Sequence, residues 1–289
     1  MLALSLPWPF DRTFMQLALA AGVVVGLCAP LIGVFLVQKR LSLLGDGVGH
    51  VAFAGVAGGV LAGVWPVWTA LVAAVAAAVG IERLRSRGRA PGDLALALFF
   101  YSGIAAGVVL LGLAHGLNAN LFAYLFGSIL TVTAGDVRLV VGVGIVIVAA
   151  VAVAGRAMFA VVLDEEAARV AGLPVDALNT GLAVLAAVTV VAAMRIVGIL
   201  LVAALMVLPV ASAQLIARSF ASCLRWSAAI GVTSAVLGLA AARIWDLAPG
   251  GSIVLVAAIV FAVLSLAGRR LASFSLGPTP GEEVELEHP

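Results

Sequence analysis

Asp46 and His50 stand four residues apart in Leu41-Ser42-Leu43-Leu44-Gly45-Asp46-Gly47-Val48-Gly49-His50, which runs on into Val51-Ala52-Phe53-Ala54-Gly55. On a helix that spacing puts both side chains on one face. Ionisable groups inside an apolar, membrane-length segment are costly, and they usually mark a pathway or a protein interior. A carboxylate with an imidazole suits a divalent first-row metal ion. Two ligands on one helix do not close a site, whereas two copies of the chain around a two-fold axis would supply four. A plainer role also fits the residues: Asp46 as a helix N-cap and His50 as a hydrogen-bonded interior group. Gly45, Gly47, Gly49, Gly55 and Gly59 would let helices approach closely, as small-xxx-small pairs do.

A second stretch, Leu163-Asp164-Glu165-Glu166-Ala167-Ala168-Arg169-Val170-Ala171-Gly172-Leu173-Pro174, is amphipathic and charged. Three acids in its first turn complement a helix dipole, and Gly172-Leu173-Pro174 ends the helix. A short helix with two firm ends can fit a groove on a partner protein, and it reads equally as an ordinary surface helix. A third stretch, Arg195 to Ala213, is apolar and carries Pro209, which fits a hinge or plain packing.

The elements around these residues follow from composition. The chain has 289 residues, 64% hydrophobic and 10% charged, with a mean hydropathy of +1.24. Soluble domains carry about a quarter charged residues, so this surface belongs in lipid. A net charge of +2 without a basic, aromatic-interleaved patch gives no reason to expect nucleic acid. Lys39 is the single lysine and follows no GxxxxG, so there is no P-loop. No HExxH or GxSxG occurs, which argues against an enzyme. If ATP drives the protein, another chain hydrolyses it. Cys28 and Cys223 read as buried small hydrophobes, and His115 and His288 as unlinked to the pair above. The first apolar run is too long for a signal-peptide core, and its basic residues follow it.

The fold class expected is an all-α, polytopic membrane helix bundle with about eight to nine transmembrane helices. A span takes about 20 apolar residues. Such runs lie near 14–37, 47–64, 67–84, 93–113, 137–155, 178–193, 196–217, 226–244 and 250–268. The run 120–132 is short and reads as a half-helix or re-entrant segment. Lys39–Arg40, Arg83/Arg85/Arg87/Arg89, Arg156/Arg169, Arg218/Arg225 and Arg269–Arg270 mark alternate loops. Placing all five clusters in the cytoplasm gives nine spans, with the N-terminus outside and the C-terminus inside. If 120–132 crossed the membrane, the clusters would disagree. The permease domain is expected over 1–272, and the acidic tail 273–289 is expected to be disordered.

The three stretches, in this order and spacing, resemble the membrane permease subunit of the metal-ion ABC importers, the zinc/manganese/iron uptake family. The resemblance covers about residues 13 to 270. It rests most on Lys39-Arg40-Leu41-Ser42-Leu43-Leu44-Gly45-Asp46…His50, on Asp164-Glu165-Glu166-Ala167…Gly172, and on Gly198-Ile199-Leu200-Leu201…Leu208-Pro209. Phe126-Gly127-Ser128-Ile129-Leu130 and Asp246…Pro249-Gly250 match as well.

The resemblance implies an ABC importer permease in a bacterial plasma membrane, working by alternating access. It implies a second permease copy, two cytoplasmic ABC ATPases and an extracytoplasmic metal-binding protein. Asp46 and His50 would be metal ligands for a transported divalent ion, zinc or manganese and possibly iron, with no permanently bound cofactor. Asp164, Glu165, Glu166, Ala167, Arg169 and Gly172 would belong to the coupling helix at about 162–173, and Pro209 to a hinge. Family members often carry bulkier or polar residues where this chain has Gly47-Val48-Gly49, so its site is expected to be wider or looser. The competing readings are a permease of the cobalamin or iron-siderophore ABC importers and an ATPase-independent secondary transporter. The former lacks metal-ligand side chains, and the latter does not account for the charged coupling loop.

Overall fold

The structure is a computed structural model describing residues 7–88, 92–114 and 119–275. His115, His288 and residues 276–289 of the expected tail lie outside the described residues, whereas 273–275 continue the last helix. Eleven helices follow one another: α1 (Thr13–Gln38), α2 (Leu44–Leu61), α3 (Pro66–Ser86), α4 (Gly92–Leu113), α5 (Ala119–Phe126), α6 (Ala134–Leu163), α7 (Glu165–Val170), α8 (Val175–Ala193), α9 (Ile199–Gln214), α10 (Phe220–Ile244) and α11 (Pro249–Ser275). Eight of them, namely α1 to α4, α6, α8, α10 and α11, are long and apolar enough to cross a membrane.

The expected seventh span, 196–217, is shorter than the sequence suggests. Gly198 takes a left-handed φ of +89°, so α9 begins only at Ile199. It then runs 16 residues, to Gln214, or about 24 Å at 1.5 Å per residue. The apolar run counts Ile196 to Gly198 as helix, but their backbone turns the corner from α8. The half-helix expectation at 120–132 matches an eight-residue helix, α5, far too short for a hydrocarbon core of about 30 Å.

The two ends of the bundle are held by different polar groups. At one end the turns α1–α2, α3–α4 and α6–α7–α8 meet, because Lys39, Arg85, Glu165 and Asn179 are hydrogen-bonded together. At the opposite end Arg195 pairs with Asp136 at 3.4 Å. It also donates to the Thr131 carbonyl at 2.9 Å and to the Tyr124 hydroxyl at 3.3 Å, tying α5 and the start of α6 to the α8–α9 corner. Thr133 and Asp136 form a reciprocal capping box that starts α6, as two orphan backbone donors there require. Trp65, Trp68 and Trp245 are exposed at this end, where amphipathic rings suit a membrane interface.

Helices α1, α2, α8 and α9 form the buried centre, with α1 packed on α10, α6, α9 and α8, and α2 on α4, α3, α9 and α8. Small residues allow these approaches, as expected where lipid gives helices no hydrophobic reason to associate. A Cβ on Gly231 of α10 would lie 2.2 Å from the Gly26 carbonyl oxygen and 2.6 Å from Cγ of Pro30, both on α1.

Candidate functional site

Helix α2 positions the Asp46–His50 pair. Its N-cap is Leu43, with no side-chain cap bond. Asp46 is therefore the third helical residue and not the N-cap that the plainer sequence reading offered. Its carboxylate sits in the first turn, where the helix dipole favours negative charge. His50 is one turn further on.

Most of α2 is buried, yet one line of it is not. Leu43 and Leu61 are exposed, and Asp46, His50, Ala54 and Gly58 between them are half-buried. Spaced by three and four, these residues share a face, so the two ionisable groups lie on a half-buried stripe of a mostly buried helix. The His50 ring meets Phe100 of α4 edge-to-face, with centroids 4.4 Å apart. Gly103, one turn past Phe100, makes that approach possible, since a Cβ there would lie 2.8 Å from the His50 carbonyl carbon. Phe100 is distant in sequence, and no spacing signal points to it.

The glycines around Asp46 do not loosen this stripe. A Cβ on Gly47 would meet the Leu96 carbonyl oxygen of α4 at 3.6 Å, and one on Gly49 the Ile199 carbonyl oxygen of α9 at 3.3 Å. Both face neighbouring helices; a side-chain carbon would fit at Gly47 in ordinary contact and would be tight at Gly49. Among the described residues no group of three or more His, Cys, Asp or Glu gathers around a point that could hold a metal ion. One chain thus contributes two ligand-type side chains.

The amphipathic stretch forms α7 with both ends fixed. The Asp164 carboxylate accepts from the Glu166 and Ala167 amides at 2.9 Å each, an N-cap with an ionised acceptor. At the other end Gly172 has φ +81°. The Leu173 and Gly172 amides reach back to the Ala168 and Arg169 carbonyls at 3.0 and 3.1 Å, a Schellman ending. Leu163, Glu166, Ala167 and Val170 are exposed, Val170 to 90%. Arg169 is exposed too and pairs with Asp176 of α8 at 2.9 Å.

Glu165 is different. It turns toward the bundle and accepts from Lys39, Arg85 and Asn179. Burial pushes its carboxyl up, but the Lys39 hydrogen bond and charge, with Arg85 behind them, outweigh that and hold it below its ordinary value. Sequence reasoning used Lys39 to exclude a nucleotide loop, to mark a cytoplasmic loop and as part of a family motif, and gave its side chain no partner. A lone lysine just after an apolar span carries no sign that its side chain will be 4% exposed. Pro209 is buried within α9, which continues through it. Pro30 likewise lies inside α1.

A family model described as the ABC 3 transport family matches residues 11–268. The chain belongs to this family. The manganese transport system membrane protein MntC of Halalkalibacterium halodurans is 31% identical over 263 residues, covering 90% of each chain. The manganese import system permease protein ScaB of Streptococcus gordonii is 31% identical, over 88% of this chain and 91% of its own. Among solved structures, PsaBC from Streptococcus pneumoniae in complex with Fab contains a chain with a TM-score of 0.81 and 32% identity, covering 92% of this chain and 96% of that one. The resemblance carried by the three stretches is borne out. The chain is a multi-pass membrane permease of the metal-ion ABC importer type, set in a bacterial plasma membrane.

Proposed function

We propose that this permease carries manganese inward, with two copies of the chain forming the pathway and a separate ABC ATPase supplying the energy. Two relatives bear manganese in their names, and a carboxylate–imidazole donor set accepts that ion. The observation that carries the reading is the half-exposed stripe bearing Asp46 and His50. Turned to lipid, an ionised carboxylate would be expensive. Turned to a second copy, the two stripes place two carboxylates and two imidazoles around a shared axis. Such a site is sparse, and a transported ion has to be released.

In this reading α7 is the coupling helix. Its exposed Glu166, Ala167 and Val170 enter a groove on the ATPase, while Asp164 and Gly172 keep the helix rigid. Arg169, paired with Asp176, fixes its far end to α8. The α7 end then faces the cytoplasm and the N-terminus lies outside. An extracytoplasmic binding protein delivers the ion at the opposite end, where a cavity of about 260 Å³ opens among Trp65, Trp68, Thr133, Asp136 and Arg195. ATP-driven approach of the ATPases moves the paired α7 helices and opens the pathway outward; hydrolysis returns it inward. Pro209 would let α9 bend during the exchange. Zinc and iron(II) fit the same donors, so the metal is settled by transport itself.

The test is uptake of Mn²⁺, Zn²⁺ and Fe²⁺ into cells or liposomes carrying the full complex. Asp46→Ala and His50→Ala are each expected to abolish manganese uptake while assembly with the ATPase persists. Undiminished uptake by both variants would reject the site.

A further inference from the structure

Lys39, Arg85, Glu82, Glu165 and Asn179 form one polar cluster beneath the bundle, drawn from four separate elements. Lys39 closes α1 as its C-cap. Its ammonium donates to Glu165 Oε1 and to Asn179 Oδ1. Arg85 donates from Nη2 to Glu165 Oε1 at 3.2 Å and to Glu82 Oε1 at 2.9 Å, and from Nε to Glu82 Oε2 at 3.0 Å. The Asn179 amide adds a bond to Glu165 Oε1 at 3.2 Å. Two cations face two carboxylates, so the cluster is neutral. Its inner members are nearly dry and its outer ones are not: the Lys39 and Glu82 side chains are 4% and 5% exposed, those of Arg85 and Glu165 22% and 38%.

Two features make this cluster more than a packing element. First, among the described residues every polar side-chain bond from α7 to α1 or α3 passes through Glu165. That carboxylate therefore gives α7 a direct polar link to α1 and α3, beside the packing that runs through α6 and α8. Second, Lys39 is seven residues before Asp46, and the chain between them is tightly wound. Arg40 has φ +59°. The Leu41 amide bonds the Leu36 carbonyl at 2.8 Å, and the Leu44 amide bonds the Leu41 carbonyl at 3.0 Å. Such a turn passes on a displacement of Lys39 and does not absorb it. Stability alone gives little reason to bury Lys39 there, because a buried ion pair is often no better than apolar residues of the same volume.

We propose that Lys39 is a positioning residue for transport, the link through which α7 moves the α1–α2 turn and so the Asp46–His50 pair. This rests on the reading of α7 as the ATPase-docking helix and of α2 as the metal-bearing one. Lys39 touches neither ATP nor metal. Its contribution is to make the two motions one, and losing it separates hydrolysis from uptake.

The experiment uses the assembled permease–ATPase complex in liposomes, with the metal-loaded binding protein and Mn²⁺, comparing wild type, Lys39→Met and Lys39→Arg. Complex yield, ATP hydrolysed and Mn²⁺ taken up are measured on the same preparations. The methionine variant is expected to assemble and to hydrolyse ATP near the wild-type rate, yet to move about ten-fold less Mn²⁺ per ATP, as a coupling free energy of ordinary size would give. The arginine variant, which keeps the charge and the donors, restores most of that ratio. An unchanged Mn²⁺-to-ATP ratio in the methionine variant overturns the proposal. So does loss of the assembled complex in that variant with recovery in the arginine one, which would make the cluster a folding element only. A wild-type complex that hydrolyses ATP but takes up no Mn²⁺ removes the transport reading itself, and the link with it.

Discussion

His50 meets Phe100 edge-on, and Asp46 waits one helical turn away on the same half-exposed line of α2. The ring packs on the imidazole edge-on, and among the described residues no side chain hydrogen-bonds to it. Aromatic contacts of this kind are worth about 0.5–1.5 kcal/mol beyond their burial. Phe100→Leu is therefore expected to lower the Mn²⁺ uptake rate by about two- to ten-fold while expression stays normal, as read from uptake per assembled complex. An unaltered rate would show that the ring only packs. The carboxylate of Glu165 has a different pH signature. Its value is held below the ordinary 4.5, so its contribution to stability is complete above that value and is lost only as pH falls through the lowered one. The melting temperature of the complex should thus be insensitive to this group from about pH 8 to about pH 5 and fall in stronger acid; Glu165→Gln should remove that acid-side fall.

At the scale of elements, the bundle is held by close helix crossings as much as by side-chain volume. One close crossing is α1 against α10, where Gly231 lies on Gly26 and Pro30. Gly231→Val leaves no room for its branches without moving a backbone, and overpacking of this kind costs about 1–3 kcal/mol. Reduced thermal stability and poorer membrane yield are the expected results, with Gly112→Val on α4 as a control, since a Cβ there meets nothing. The exposed side of α7 gives the second element-scale prediction. Glu166→Arg reverses a charge on the docking face without touching Glu165 or Lys39. It should leave the permease folded but abolish stimulation of the ATPase by the loaded binding protein. Full stimulation would remove α7 from that role.

At the scale of the whole molecule, the unsettled matter is the number of crossings. Helix α5 is eight residues long, so Ala62 before α3 and Thr131 before α6 should lie on the same side of the membrane. Single cysteines at these two exposed positions should label together with an impermeant reagent, and opposite to one at Ser86. Cys28 and Cys223 are buried, so the background should be low. Opposite labelling of positions 62 and 131 would mean that the segment between α4 and α6 crosses.

The sequence by itself determined the class of the molecule, the order and rough places of its helices, and the order of motifs that marks its family. Hydropathy and charge suffice for this, because each span must satisfy its own backbone in lipid whatever its neighbours do. The firm ends of α7 were legible for the same reason: an N-cap and a Schellman glycine act within one turn. Contacts between distant segments were not legible. Gly198 ends the α8–α9 corner through a φ value that only the packing around it requires. Phe100 reaches His50 because Gly103 lets α4 approach. Lys39 meets Glu165 across 126 residues. Only the tertiary structure decided that the lone lysine is buried in a neutral ion cluster, and that Asp46 and His50 lie on a half-buried stripe of α2. Both outcomes depend on which helix faces cover which, and each segment's own residues leave that open.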